Sequence, residues 1–213
     1  MAAGIVGEVA FHGDQADLST VCRMSEAMTQ TPYGFGTCSW GWVALGHRRH
    51  GAAPAAHAAT QPLVDDRLGL GLVLTGNLSN RESLREELDG DFPFRNSEDP
   101  EVALAAYHQW GEHFVERLEG SFALAVVDAF REKVLLARDA EGTQPLYLAR
   151  GPGLVRFAST TDSLNSVGGP YPSNGVEPVP PATVLVFEPS GRAIERPQRN
   201  PDRASRLSDC PGR

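Results

Sequence analysis

Residues 118–139 read LEGSFALAVVDAFREKVLLARD. Two apolar runs, Phe122 to Asp128 and Lys133 to Arg138, flank the turn Ala129 to Glu132, which is the pattern of a β-hairpin. Downstream, Leu146 to Ala149, Val155 to Ser159 and Thr183 to Phe187 read as further short strands. Upstream, Leu68 to Leu74 reads as a buried strand, Ser39 to Leu45 as another, and Ile5 to Phe11 as a β-rich start. Helical spacing occurs between these runs. Leu18 to Met28 follows a cap at Asp17 or Ser19, and Asn80 to Leu88 is capped by Asn80. A third helix spans about Asp99 to Gln109, with Asp99 as N-cap, Pro100 at the first helical position and Glu101 complementing the dipole. Glu112 to Leu118 continues helically towards Gly120, whereas Gly51 to Thr60 is a loop of small residues. Two β-layers flanked by helices is the architecture this pattern implies.

The composition sets the bounds. The 213 residues are 41% apolar and 22% charged, average values for a globular chain of one domain. No apolar stretch approaches the roughly 18 residues of a membrane span, and the N-terminus lacks the basic and apolar regions of a signal peptide, so a soluble, cytoplasmic protein is expected. A net charge of −8 argues against nucleic acid, which demands a basic patch. Lys133 is the sole lysine. Cys22, Cys38 and Cys210 form no C-x-x-C pair, no disulfide framework and no zinc spacing, so neither metal nor cofactor is expected. From Glu188 onward the chain turns polar, and residues 188–213 read as a linker or disordered tail.

Read in order, several segments resemble the N-terminal glutaminase domain of asparagine synthetases, a class II glutamine amidotransferase. They are Gly4-Ile5-Val6-Gly7, Gly46-His47-Arg48-Arg49, Gln61-Pro62, Thr75 to Asn80, Asp99 to Val102, Leu118 to Ala123, Leu136 to Asp139, Gly142 through Pro145-Leu146-Tyr147 to Ser159, and Val179 to Thr183. The resemblance covers roughly residues 3–190 and implies an α+β fold: a four-layer αββα sandwich of two antiparallel sheets, the N-terminal-nucleophile (Ntn) hydrolase type, over residues 1–187. In that family a cysteine at the mature N-terminus attacks the glutamine amide, with its own α-amine as base.

The departures fall on the chemistry. Where the family reads Met-Cys-Gly-Ile-Val-Gly, this chain reads Met1-Ala2-Ala3-Gly4-Ile5-Val6-Gly7, so Ala3 occupies the nucleophile position and the α-amine belongs to Ala2 once Met1 is removed. The oxyanion and ammonium-binding triplet Asn-Gly-Glu becomes Thr75-Gly76-Asn77, and Arg-Gly-Pro-Asp becomes Gln30-Thr31-Pro32-Tyr33. Arg49 and Asp99 match the positions that hold the substrate carboxylate and amine; each also has a structural reading, Arg49 as partner of a buried carboxylate and Asp99 as helix cap. Arg138 and Asp139 read as a structural ion pair, and His47 as structural. No motif pairs Cys22 or Cys38 with His12, His50, His57, His108 or His113 as a relocated nucleophile. The ATP-pyrophosphatase half of the family, with its Ser-Gly-Gly-x-Asp-Ser loop, has no counterpart here.

The expected function is therefore that of a catalytically inactive glutaminase-like domain, a scaffold for a separate ATP-dependent, amide-forming synthetase. β-Lactam synthetases and lasso-peptide cyclases, which also carry degenerate glutaminase domains, supply the analogy to natural-product biosynthesis. The alternatives are a glutamine or amino-acid sensor built on Arg49, Thr75, Gly76, Asn77 and Asp99, an amidotransferase with a relocated nucleophile, and a piece of a longer synthetase.

Overall fold

The computed structural model describes residues 3–28, 34–49, 61–96, 98–169 and 175–198. The hairpin of the opening motif is present as β6 (Gly120–Asp128) and β7 (Lys133–Arg138), antiparallel with Val126 opposite Leu135. β6 also pairs with β5 (Leu70–Leu78) over nine residues, and β7 with β11 (Thr183–Phe187). With β4 (Leu63–Asp65) and β12 (Ala193–Pro197) at the edges, they form a six-stranded sheet ordered β12-β11-β7-β6-β5-β4. The second six-stranded sheet centres on β1 (Gly4–Ala10), which runs between β9 (Leu154–Ala158) and β3 (Val43–Arg48). Beyond them lie β8 (Tyr147–Gly151) with β10 (Val176–Pro178) on one side, and β2 (Phe35–Ser39) on the other. Every pairing between these strands is antiparallel.

Side chains alternate across a strand, so a sheet covered on both sides is apolar at nearly every position. In β5, Val73 points into the layer between the sheets, beside Ile5, Leu45, Leu136 and Phe157. Its neighbours Leu72 and Leu74 point outward to α3 (Asp99–Trp110), against Val102 and Tyr107. On the other sheet, Val6, Ala44 and Ala158 face Val21 and Met24 of α1 (Leu18–Glu26) and Leu164 of α4 (Thr161–Ser166). Three cores separate four layers, helix, sheet, sheet, helix, as the Ntn-type resemblance implies.

Local departures from the sequence reading each have a cause. The run Ser39 to Leu45 is not one strand: β2 ends at Ser39, β3 begins at Val43, and Gly41, at φ +61°, makes the turn. Apolar tryptophans on both sides of that turn hide it from a hydropathy reading; Trp40 lies over Gly71, where a Cβ would be 2.0 Å from its ring. Asp17 caps α1, accepting from the Ser19 N–H at 2.8 Å. Asn80 holds the N-cap position of α2 (Arg81–Glu87) as read, but its side chain makes no capping bond; it donates to Arg117 O and accepts from Glu119 N–H, tying the helix start to the approach to β6. Asp99 is not a cap, because α3 begins at Asp99 with Glu98 in the cap position. Residues 111–117 form a 3-10 helix. The polar tail is shorter than read: β12 adds a strand after Phe187, fastened by an Arg196–Glu112 ion pair at 3.0 Å and by Gln198 Nε2 donating to Val115 O. Among the described residues, no helix is long and apolar enough to cross a membrane.

Candidate functional site

The site sits where the two sheets meet at the start of β1. Gly4 pairs with Arg48, so Ala3 and Arg49 are the residues one step beyond that pair. Ser159 holds this start from the other side: its Oγ accepts from Ile5 N–H at 2.9 Å and its N–H donates to Ile5 O. A Cβ on Gly4 would meet Met28 Sδ at 2.6 Å, so the chain entering β1 is tightly enclosed. From the opposite sheet, the Thr75 hydroxyl donates to Ala3 O at 2.7 Å. A hydroxyl carries one proton, and this one is committed to the backbone rather than offered to an oxyanion.

Beyond Thr75, β5 reaches the surface: Thr75 is buried, Gly76 and Asn77 exposed. Gly76 adopts φ +99° and a Cβ there would lie 1.9 Å from Ser121 O, so neither conformation nor space admits another residue. Ser121 on β6 and Gln144 close in beside it; Ser121 Oγ meets Thr143 Oγ1 at 2.6 Å and accepts from Gln144 Nε2 at 3.0 Å. The sequence reading did not place Ser121 or Gln144 at the site, since their approach depends on the β5–β6 register and on the loop after β7.

That loop is built by Arg138 and Asp139, which act structurally but not as a pair with each other. Arg138 donates to the carbonyls of Gln144, Val179 and Gly142. Burial raises the Asp139 carboxyl, but hydrogen bonds from Thr143, Gln144 and Glu141 outweigh it and leave its pKa lowered.

Arg49 directly follows β3, its N–H donating to Gly34 O at 3.0 Å. Two residues earlier, His47 is buried; burial, seconded by the Arg49 charge, lowers its pKa to about 4, so it is neutral at physiological pH. Gln61 stands beside it and completes the edge of β5, its Oε1 accepting from Leu74 N–H at 2.6 Å and its Nε2 donating to Leu74 O at 3.0 Å. Asp99 joins the site through the end of β5, where the Leu78 N–H bonds its carboxylate. Burial raises the Asp99 pKa more than Arg81 and that N–H lower it. Among the described residues, Asp99 Oδ1 and Arg81 Nε are both buried and have no hydrogen-bond partner.

Ala3, Arg49, Thr75, Gly76 and Asn77 are thus brought together around one strand start, with Asp99 at the end of the same β5 segment. Cys38 is elsewhere on β2, and burial pushes its thiol up to about 12, the reverse of nucleophilic activation. Cys22 lies on α1. His108 lies against Phe92 and His113 against Glu116, both in the outer helical layer. Ala2, Gln30 to Tyr33, His50, His57 and Cys210 lie outside the described residues. Among the described residues, no three metal-ligating side chains cluster.

The family model described as a glutamine amidotransferase domain matches residues 2–187. The glutamine-hydrolyzing asparagine synthetase 3 of Arabidopsis thaliana is 37% identical over 106 residues, 49% of this chain and 18% of that protein. The asparagine synthetase of Asparagus officinalis is 34% identical over 131 residues, 61% of this chain and 22% of that protein. The chain thus spans about a fifth of the length of these curated relatives. In fold, the glutamine phosphoribosylpyrophosphate amidotransferase of B. subtilis superposes with a TM-score of 0.73 at 18% identity, over 91% of this chain and 49% of that one.

Proposed function

Because the chain belongs to the glutamine amidotransferase domain family, in its class II form, we propose that it is a member without amide hydrolysis, acting as the partner of an ATP-dependent, amide-forming synthetase. The observation that carries this reading is Ala3 at the start of β1. A methyl group there neither ionises nor attacks a carbonyl, and the two half-reactions of covalent amide hydrolysis have no group on which to form an acyl intermediate. The surroundings agree with it. An oxyanion needs donors aimed at the developing charge, and the Thr75 proton is already given to Ala3 O at 2.7 Å. Meanwhile the scaffold around the site is intact: Ser159, Gln61 and the Arg138–Asp139 loop keep their structural bonds. Retained scaffold with absent chemistry suits a domain whose value lies in its surface, as in synthetases that condense an internal amine instead of ammonia.

Affinity capture of the tagged chain from its native organism tests this. Stoichiometric recovery of a chain bearing a Ser-Gly-Gly-x-Asp-Ser synthetase loop is the expected result; recovery of the tagged chain alone, across mild salt conditions, contradicts it.

A second reading, amino-acid sensing, is favoured by one observation. Asp99 Oδ1 is buried with no donor among the described residues, an unfilled acceptor at the position that matches the family's amine-binding aspartate. Saturable binding of L-glutamine without release of ammonia would support it.

A further inference from the structure

Two turns of the sheet that holds β5, one before β5 and one between β6 and β7, enclose a cavity of about 300 Å³. Leu70 opens β5 and Asn77 lies seven residues on, so the cavity is roughly 23 Å along the strand from the candidate site. Each turn is ordered by an aspartate at its start. Asp65 Oδ1 accepts from the N–H groups of Arg67 and Leu68, and Asp128 Oδ1 accepts from the Arg131 N–H. The Ala129 N–H donates to Gly69 O at 2.8 Å and joins the two turns. Gly69, at φ +64°, leaves room for the Phe130 ring, which a Cβ there would approach to 2.9 Å. Phe130 is nevertheless 71% exposed, an aromatic ring held on one side and open to water on the other.

The lining divides by chemistry. Leu68, Leu70 and Phe130 supply an apolar wall, and His108 of α3 closes one side. Arg67 and Arg131 bring two guanidiniums, with side chains 73% and 65% exposed. The carboxylate of the lining, Asp128, is 1% exposed and already accepts from the Tyr107 hydroxyl, the Arg131 N–H and Arg131 Nη1. Arg131 spends one guanidinium nitrogen on that contact and keeps further donors. Arg67 Nε stands 3.9 Å from Asp65, beyond hydrogen-bond reach, so that pairing does not use its donors. Asp66 and Glu132 lie on the same turns but are exposed and outside the lining, so water screens them.

We propose that this cavity binds a small aromatic carboxylic acid, its ring stacked on Phe130 over Leu68 and Leu70 and its carboxylate between Arg67 and Arg131. The site is separate from the chemistry at Ala3 and holds whether or not glutamine is cleaved.

Calorimetric titration of the full chain with hydrocinnamate, a phenyl ring on a short acid chain, tests this. The unaltered chain is expected to bind it saturably, one molecule per chain, with a Kd of about 1 mM or tighter. Hydrocinnamamide, its neutral amide, and propanoate, the acid without the ring, are each expected to bind at least about tenfold more weakly. Phe130→Ser and Arg67→Gln replace exposed side chains, and Arg131 is left in place because its loss would strip the buried Asp128 of a partner. Each variant, checked for folding by circular dichroism, is expected to weaken hydrocinnamate binding by about tenfold. The comparison of the three ligands on the unaltered chain stands by itself if a variant does not fold. Absence of saturable binding, equal affinity for hydrocinnamate and either comparison ligand, or an unchanged affinity in either folded variant would overturn the proposal.

Discussion

A buried histidine beside an arginine sets a condition on the pH at which this site holds together. His47 is 6% exposed and its imidazole is lowered to about 4 from an ordinary value of 6.5. The unfolded chain therefore binds a proton between pH 6.5 and 4 that the folded chain refuses, so stability is lost as pH falls through that window and levels off below it. The size of the effect is on the order of 3 kcal/mol. The depressed carboxyls, Asp17 at about 2 and Asp139, cost stability only as pH drops below their unfolded value of 3.8, so the two windows are separable. Urea unfolding across pH 4–7 should show the His47 slope, and His47→Gln should flatten it. An unchanged slope in the variant would mean that His47 is not the titrating group.

At the scale of elements, α1 is tied to its sheet by charge as well as by Val21 and Met24. Glu8 points out of β1 towards the helix; its Oε1 accepts from Asp17 N–H at 2.7 Å and its Oε2 from Arg156 Nε at 2.6 Å. Both side chains are nearly buried, 4% and 11% exposed. Removing one member leaves a buried charge uncompensated, so Glu8→Leu or Arg156→Met alone is expected to cost about 3–5 kcal/mol in denaturant unfolding. The double variant, which leaves no buried charge, should cost well under the sum; strict additivity would show that the pair is not coupled.

Elements also mark where a sequence reading succeeds and fails. The β6–β7 hairpin and β11 were legible because burial on both faces makes each strand an apolar run ended by polar residues. β12 was not. Only alternate positions such as Ile194 and Arg196 contact the body, and its fastening to Glu112 and Val115 comes from residues about eighty positions away. At the site, Ala3, Arg49, Thr75, Gly76, Asn77 and Asp99 could be placed because they sit inside ordered family segments. Ser121 and Gln144 also lie inside such segments, but nothing there marks them as neighbours of Gly76. Their places beside it come from the β5–β6 register and from the loop after β7, neither of which is written in local pattern.

At the scale of the whole molecule, two six-stranded antiparallel sheets between helical layers hold the start of β1 in position from several directions at once. Ser159 and Arg48 hold it within its own sheet, and Thr75 reaches it from the facing sheet. Such a frame holds the start of β1 through backbone and neighbouring side chains, so an alanine at residue 3 need not disturb the fold. The most direct test is incubation of the purified chain with L-glutamine near pH 7.5, following glutamate formation over hours against a protein-free control. The account predicts glutamate indistinguishable from that control at every protein concentration. Steady glutamate production in proportion to protein would contradict it and would require a nucleophile other than residue 3.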